Sequence, residues 1–369
     1  MLRRLTLGFV VLSLAAAFAA CSTNQTVLNG GLGIGPDFKT GSVYAAIASI
    51  NAITIYPAPI ANATAPAYQI GGTTTTLDGP QYLAFDGLDE LWSSNFDAST
   101  SASSVVMFKG NATGSVYPLQ SFSYSGMGQP RGIAIDANGN IAIASTYAPA
   151  ALPALPSQIQ FYTTSDSGAT TPYEVITGSA TGLNVPSGVA YDTNGTVYVA
   201  NRQGASVEAF GFPTPSPTPS TTASPSPTPT ATPTSNPSAS PTPTASPVTL
   251  ANNLAPTLDI VGGNTGFANP SGVAVDATGI IYVSDAGNAS VRVFAAASTG
   301  NVAPTRVIAG PLTLLQVPTD IKVDSSGNVY VADSGAGKIF VFAAGANGNV
   351  APTMTLTSST GLVGIGLSP

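Results

Sequence analysis

Pro270 to Phe294 reads PSGVAVDATGIIYVSDAGNASVRVF, three short apolar runs separated by two turn signals. Gly272–Val275 is followed by Asp276-Ala277-Thr278-Gly279, Ile280–Ser284 by Asp285-Ala286-Gly287-Asn288, and Val291–Phe294 closes the unit. Runs this short, rich in Val, Ile, Tyr and Phe and bounded by Gly, Asn and Asp, predict β-strands. They are almost continuously apolar, so each strand is expected to be covered on both faces. Asp276 is expected to accept backbone N–H groups of its own turn, and Gly279 to supply the positive φ of a tight reversal. A fourth strand is expected at Thr305–Ile308, after Pro304.

The unit recurs as PSGVAYDTNGTVYVAN (186–201), PTDIKVDSSGNVYVAD (318–333), PRGIAIDANGNIAIAS (130–145) and PQYLAFDGLDELWSSN (80–95). A partial copy, GSVYAAIASINAITIYP (41–57), lacks an obvious first strand. The third strand of each copy ends in an aromatic: Tyr56, Phe108, Tyr162, Phe210, Phe294 and Phe342. In five copies a proline stands ten residues later, at Pro66, Pro118, Pro172, Pro304 and Pro352. A repeat of about 48 residues with four short strands is the pattern of a β-propeller blade. The chain is therefore expected to be all-β, a six-bladed propeller of four-stranded blades over residues 41–369. The missing first strand has two candidates, residues 33–37 and 361–367. The C-terminal one is preferred, because Pro36 would remove a ladder donor and because joining the two chain ends leaves no open sheet edge.

These copies resemble NHL repeats, whose pattern P-x-G-[IV]-A-[VI]-D-x-x-G-x-[IV]-Y-V-[AS]-[DN] they follow at most positions. The resemblance covers residues 41–369 apart from one insertion. It implies the propeller fold. It does not choose among binding modules, sensor domains and enzymes.

Charged residues make up 7% of the chain, the net charge is −7, and histidine is absent. Nothing basic suggests nucleic acid. Residues 1–20 read as a targeting segment: Arg3 and Arg4 precede an apolar run from Leu5 to Ala19, which is short for a membrane span. Phe18-Ala19-Ala20-Cys21 resembles a bacterial lipobox, with the chain's one cysteine at the acylated position. An exported, lipid-anchored envelope protein is expected, with 21–40 as a tether and a monomeric propeller.

Blade four is interrupted by Pro213–Pro247, which has no apolar side chain larger than Ala and is expected to be disordered, with polyproline II character. It joins strands three and four. The long loops of blades two and three, 95–104 and 147–156, join strands two and three and so belong to the opposite face. The tether at Gly41 and the insertion are expected on one membrane-proximal side, with the long loops facing outward.

Without histidine the chain cannot build a Ser-His-Asp triad, a Cys-His nucleophile or a His-bound zinc site. Asp86, Asp136, Asp192, Asp276 and Asp324 recur once per blade, as turn caps should. Asn95, Asn201, Asp285 and Asp333 recur at the end of the second strand. No cofactor is expected, but if calcium binds, Asn201, Asp285 and Asp333 are its candidate ligands. Calcium-dependent lactonase-like propellers use an axial Glu. Here the glutamates are Glu90, Glu174 and Glu208, none at a first-strand position facing the channel. Tyr44, Tyr198, Tyr282 and Tyr330, with Trp92 in register, are expected to pack between blades. Residues that break the pattern on one rim, Phe96, Asp97, Arg131, Tyr147 and Arg202, are the candidate ligand-binding set. The expected function is non-catalytic binding or scaffolding, with a protein or glycan ligand. A calcium-dependent hydrolase or lactonase and a purely structural surface protein are the alternatives.

Overall fold

Each repeat folds as its punctuation predicts. In blade five Pro270–Val275, Ile281–Asp285, Ser290–Phe294 and Arg306–Ile308 lie side by side, antiparallel, from the axis outward. Asp276 Oδ1 accepts the N–H groups of Thr278 and Ile280 at 2.9 and 3.0 Å, which closes the first turn. The computed structural model describes residues 36, 38, 40–146, 157–211 and 250–369. The expected targeting segment (1–20), Cys21, most of the expected tether (21–40), Tyr147 and the 213–247 insertion lie outside the described residues.

Six such sheets follow one another. The ring is closed by the C-terminal strand: Leu362–Leu367 pairs antiparallel with Val43–Ile47 and takes the first-strand place of blade one. Gly41 N–H donates to Ser368 O at 3.1 Å and Ser368 N–H returns to Ser42 O at 3.0 Å, so both chain ends are tied into one sheet.

Second strands such as Val43–Ile47, Val197–Asn201 and Ile281–Asp285 are buried along their whole length. The reason is that the core is divided into six clusters, one between each pair of neighbouring blades. The cluster joining blades six and one contains Ile339 and Leu356 together with Ala45, Ile47 and Leu362. All six strand-three aromatics are buried in this system. The second-strand aromatics also pack there; Trp92, Tyr282 and Tyr330 find their polar partner in the turn aspartate of their own blade, while the Tyr44 hydroxyl donates to Gly110 O in blade two. Trp92 Nε1 donates to Asp86 Oδ2 at 2.9 Å, and the Tyr282 and Tyr330 hydroxyls donate to Asp276 and Asp324 at 3.2 and 3.3 Å.

The glycine of the P-x-G signature answers to close approach around the axis. In five blades the first strand shifts register just after its proline. The residue after the shift is pressed against the next first strand. A Cβ on Gly132 would lie 2.3 Å from Ser187 O, one on Gly188 2.6 Å from Gly272 Cα, and one on Gly272 2.8 Å from Asp320 Cα. Only a residue without a side chain fits between two backbones at that distance.

Every blade also carries a strap beyond its fourth strand. The segment joining strands three and four of the next blade runs parallel to that strand: Gly114 against Ile70, Gly168–Ala169 against Phe122–Ser123, Leu250–Asn252 against Glu174–Ile176, Gly300 against Ile260 and Gly348 against Ile308. For blade six the strap comes from blade one, where Ala63 N–H donates to Thr355 O at 2.7 Å and Thr357 N–H to Thr64 O at 3.1 Å. After the strap, Asn253, Asn301 and Asn349 each accept, through Oδ1, the N–H of a 3-10 turn in the preceding blade, at 2.7, 2.7 and 2.8 Å. The outer edges, which would otherwise expose unpaired backbone groups, are covered. In blade four the described chain runs through Phe210 to Gly211 and resumes at Leu250 directly in the strap on blade three.

Glu208 is a buried acid in the third strand of blade four, opposite Asp259. Ser206 Oγ donates to its Oε1 at 2.7 Å and Asn201 Nδ2 at 3.3 Å. Burial pushes its carboxyl from 4.5 up to about 7, and the Asp259 charge adds to this. Because the folded state holds the proton more tightly, this stabilising contribution is complete below about pH 4.5 and is lost as pH rises through about 7. Glu208→Gln keeps an oxygen for both donors and carries no charge. Its melting temperature is expected to match wild type near pH 5 and to exceed it at pH 8; equal pH profiles for the two proteins would contradict this. For the axial glycines, Gly272→Ala is expected to cost about 1–3 kcal/mol in chemical denaturation, the scale of overpacking. Gly87→Ala, where a Cβ meets nothing within 4 Å, is expected to change stability by less than about 0.5 kcal/mol.

Candidate functional site: the two mouths of the axial channel

First strands from all six blades line the axis; at their aspartate ends they open as a turn mouth, and their proline ends define the rim side, referred to as the rim mouth. Tyr82 separates the two. It stands where Gly132, Gly188 and Gly272 stand in blades three to five and Asp320 in blade six. Its side chain crosses from blade two, and its hydroxyl lies 2.8 Å from Thr319 O in blade six, 3.2 Å from Ser187 Oγ in blade four and 3.4 Å from Ser271 O in blade five. The ring of glycines leaves the room that this tyrosine fills. Burial, then the Asp320 charge, pushes its hydroxyl up to about 12, so it is a neutral plug at any physiological pH.

On the turn side a funnel of about 300 Å³ is lined by apolar first-strand residues, among them Leu83, Ile133, Val189 and Val273. Lys322 at its wall bonds Asp320 at 3.2 Å through each carboxylate oxygen. Asp320 also accepts the N–H groups of Ile321 and Ile365 at 2.8 and 2.9 Å. Beside the funnel, a groove of about 430 Å³ runs over the turns of blades three to five and includes Asp136, Asp192 and Asp276. Each of these spends Oδ1 on two N–H groups of its own turn.

On the rim side lie two of the sequence-predicted ligand residues. Arg131 is the second residue of the blade-three signature, between Pro130 and the tightly packed Gly132. It is half-buried, and its Nε has no hydrogen-bond partner among the described residues. Burial disfavours its charge. The neighbouring Arg202 charge makes it worse. Arg202 follows the second strand of blade four. Its N–H donates to Val185 O at 3.2 Å and its Nε to Asn269 Oδ1 at 2.8 Å, which fixes it over the junction of blades four and five. Among the described residues the ion pairs are Arg292–Asp285 and Lys322–Asp320; neither Arg131 nor Arg202 is in one.

Phe96 and Asp97 belong instead to the blade-two hairpin. Phe96 is half-buried in the ladder opposite Ser103, with its N–H on Gly79 O at 3.1 Å. Asp97 accepts Ser99 N–H and Ser99 Oγ, both at 2.7 Å, and the Thr100 hydroxyl. These donors hold its carboxyl down at about 2. Tyr147, the remaining member of the predicted set, lies outside the described residues.

The candidate calcium ligands are not brought together. Asp285 accepts Ala268, Asn269 and Gly287 N–H at 2.8, 2.9 and 3.0 Å, and Asp333 accepts Gln316, Val317 and Ala336 N–H at 2.7, 3.0 and 2.9 Å. Asn201 accepts Asn184 N–H at 2.6 Å and donates to Gly182 O at 2.8 Å. Each residue ties its own second strand to the loop entering its blade, so their oxygens are already occupied. No group of three or more acidic, His or Cys side chains among the described residues is placed to hold a metal ion. Asn201, Asp285 and Asp333 therefore do not form, among the described residues, the calcium site that a calcium-dependent lactonase mechanism would need.

No curated protein matches the chain. The family profile of the NHL repeat matches residues 267–294 and 315–342, the signatures of blades five and six. Among solved structures, a protein of unknown function from Bacteroides caccae superposes with a TM-score of 0.54 at 10% identity, covering 89% of this chain and 99% of that one. The periplasmic gluconolactonase of Pseudomonas aeruginosa gives 0.54 at 9% identity over 90% and 99% of the two chains. A putative 6-phosphogluconolactonase from Bacteroides fragilis gives 0.53 at 12% identity over 89% and 98%. At these identities the likeness is one of fold. Blades five and six carry the matched NHL repeats, and the chain folds as a six-bladed β-propeller.

Proposed function

We propose that this protein is a cell-envelope lipoprotein whose propeller is a non-catalytic binding module, taking a protein or glycan ligand at its rim mouth. The observation that carries the reading is the mouth itself. Two arginines stand beside the axis without an acidic partner among the described residues, over a channel closed by a neutral tyrosine. Such a mouth has donors to hold a ligand and a floor to stop it. The axial carboxylate among the described residues, Asp320, is bonded to Lys322 and two N–H groups rather than left as a free base.

Topology supports the orientation. Val43 pairs with both Tyr56 and Leu367 at the turn end of blade one, so the chain enters the propeller on the turn face. Phe210 pairs with Val197, next to the blade-four turn, so the insertion leaves from the same face. A lipid on Cys21 would put this face toward the membrane and the rim mouth outward, with the propeller acting as a monomer.

The competing reading is a lactonase, since two of the proteins that share the fold carry gluconolactonase names. Assays with D-glucono-δ-lactone and its 6-phosphate, with and without calcium, separate the two. No hydrolysis above the buffer rate is expected. Turnover that disappears in Asp320→Asn would replace the binding reading with a lactonase. For the anchor, cells fed labelled palmitate are expected to label the wild-type protein and not Cys21→Ser; equal labelling of both would remove the lipoprotein assignment.

A further inference from the structure

Arg131 and Arg202 pose an energetic problem that the fold does not solve. A guanidinium offers five donors and cannot shed its charge at neutral pH. Removing one from water without a counter-charge is costly, and a second cation nearby increases the cost. The repeat does not require arginine at either place. Residues equivalent to Arg131 in the other signatures are Gln81, Ser187, Ser271 and Thr319, all neutral. Those equivalent to Arg202 include Thr146, Ala286 and Ser334. The chain as a whole is acidic, at −7, so the two cations are a local exception rather than part of a basic surface.

Both arginines are also pre-positioned. Arg131 springs from a backbone wedged between Ser94, whose Oγ donates to Arg131 O at 2.9 Å, and the blade-four strand packed on Gly132. Arg202 is anchored through Nε to Asn269, which leaves its terminal nitrogens as a fork. We infer that the rim mouth is an anion-binding site, in which Arg131 and Arg202 together hold a carboxylate or phosphate group of a small polar ligand above the Tyr82 plug. Paired, planar, multidentate donors favour these two oxyanions over a spherical anion or a neutral sugar. The assignment rests on the binding reading above and gives it a ligand chemistry.

The test uses the full-length protein in thermal melts and titration calorimetry at fixed ionic strength, with sodium D-glucuronate, inorganic phosphate and D-glucose as probes. Glucuronate or phosphate is expected to raise the wild-type melting temperature and glucose is not; which of the two acts more strongly identifies the oxyanion. Arg131→Gln and Arg202→Gln are each expected to weaken the effective anion by about tenfold or more, the scale of a lost charge-assisted hydrogen bond. Without ligand, Arg131→Gln is expected to melt at or above the wild-type temperature, because an uncompensated charge has gone; an arginine needed only for structure would give the opposite. If Arg131→Gln does not fold, that outcome counts against the proposal, and Arg202→Gln still reports on the site. Anion shifts equal in wild type and the double variant, or none at concentrations on the order of 10 mM, would overturn it. Glucose binding that survives in the double variant would overturn the anion assignment and leave the propeller a binding module. Lactone turnover without anion binding would remove both.

Discussion

The pairing of Leu362–Leu367 with Val43–Ile47 is the joint on which this molecule depends. A blade cannot bury its own faces, because a four-stranded sheet has two and no layer of its own to cover either. Each blade is buried only by its neighbours, so the row must become a ring or leave two apolar faces in water. The C-terminal strand closes it by completing a sheet that the N-terminal part of the chain began. The two ends thereby share main-chain hydrogen bonds, and the six inter-blade clusters become a continuous circuit.

The straps repeat this logic at the circumference. Each connects a blade to the outer strand of the one before it, and the strap from blade one to blade six closes the outer circuit as the C-terminal strand closes the inner one. Their side-chain contribution is small and regular. An asparagine after the strap satisfies a 3-10 turn in the preceding blade, against a glycine whose φ of 115 to 118° no other residue adopts at ease. The arrangement also explains how blade four tolerates a long insertion. The polypeptide re-enters at Leu250 in a main-chain ladder that requires little of the sequence before it.

Function enters where the six-fold pattern is broken. Around the axis most blades present glycine and a small polar residue, which suits close packing and little else. Blade two substitutes a tyrosine and blades three and four supply arginines, and these departures lie on the proline side of the axis, around Val185–Ser187. On the opposite side the aspartates remain regular, and their oxygens are committed to turns. Regularity thus accompanies structural work and irregularity accompanies exposed chemistry, which is how a repeat fold is able to carry a single site.

Much of this was legible in the chain. The D-x-x-G turns, the four short apolar runs, the aromatic–proline spacing and the incomplete first copy led to the blade count and to C-terminal closure, because turn chemistry and burial on both faces are local constraints written in residue type. The rim arginines were visible as breaks in the repeat. The Tyr82 plug carried the same signal, a tyrosine in a glycine position, and the straps were announced by Gly300-Asn301-Val302-Ala303-Pro304 and Gly348-Asn349-Val350-Ala351-Pro352, although only the proline stood out. What the sequence alone could not decide was which side chains meet. That Tyr82 crosses the axis to three other blades, that Arg131 and Arg202 share a mouth while Asp97 turns back on its own hairpin, and that Asp285 and Asp333 cap loops rather than converge are consequences of ring geometry. Those contacts join residues far apart in the chain, and no local propensity encodes them.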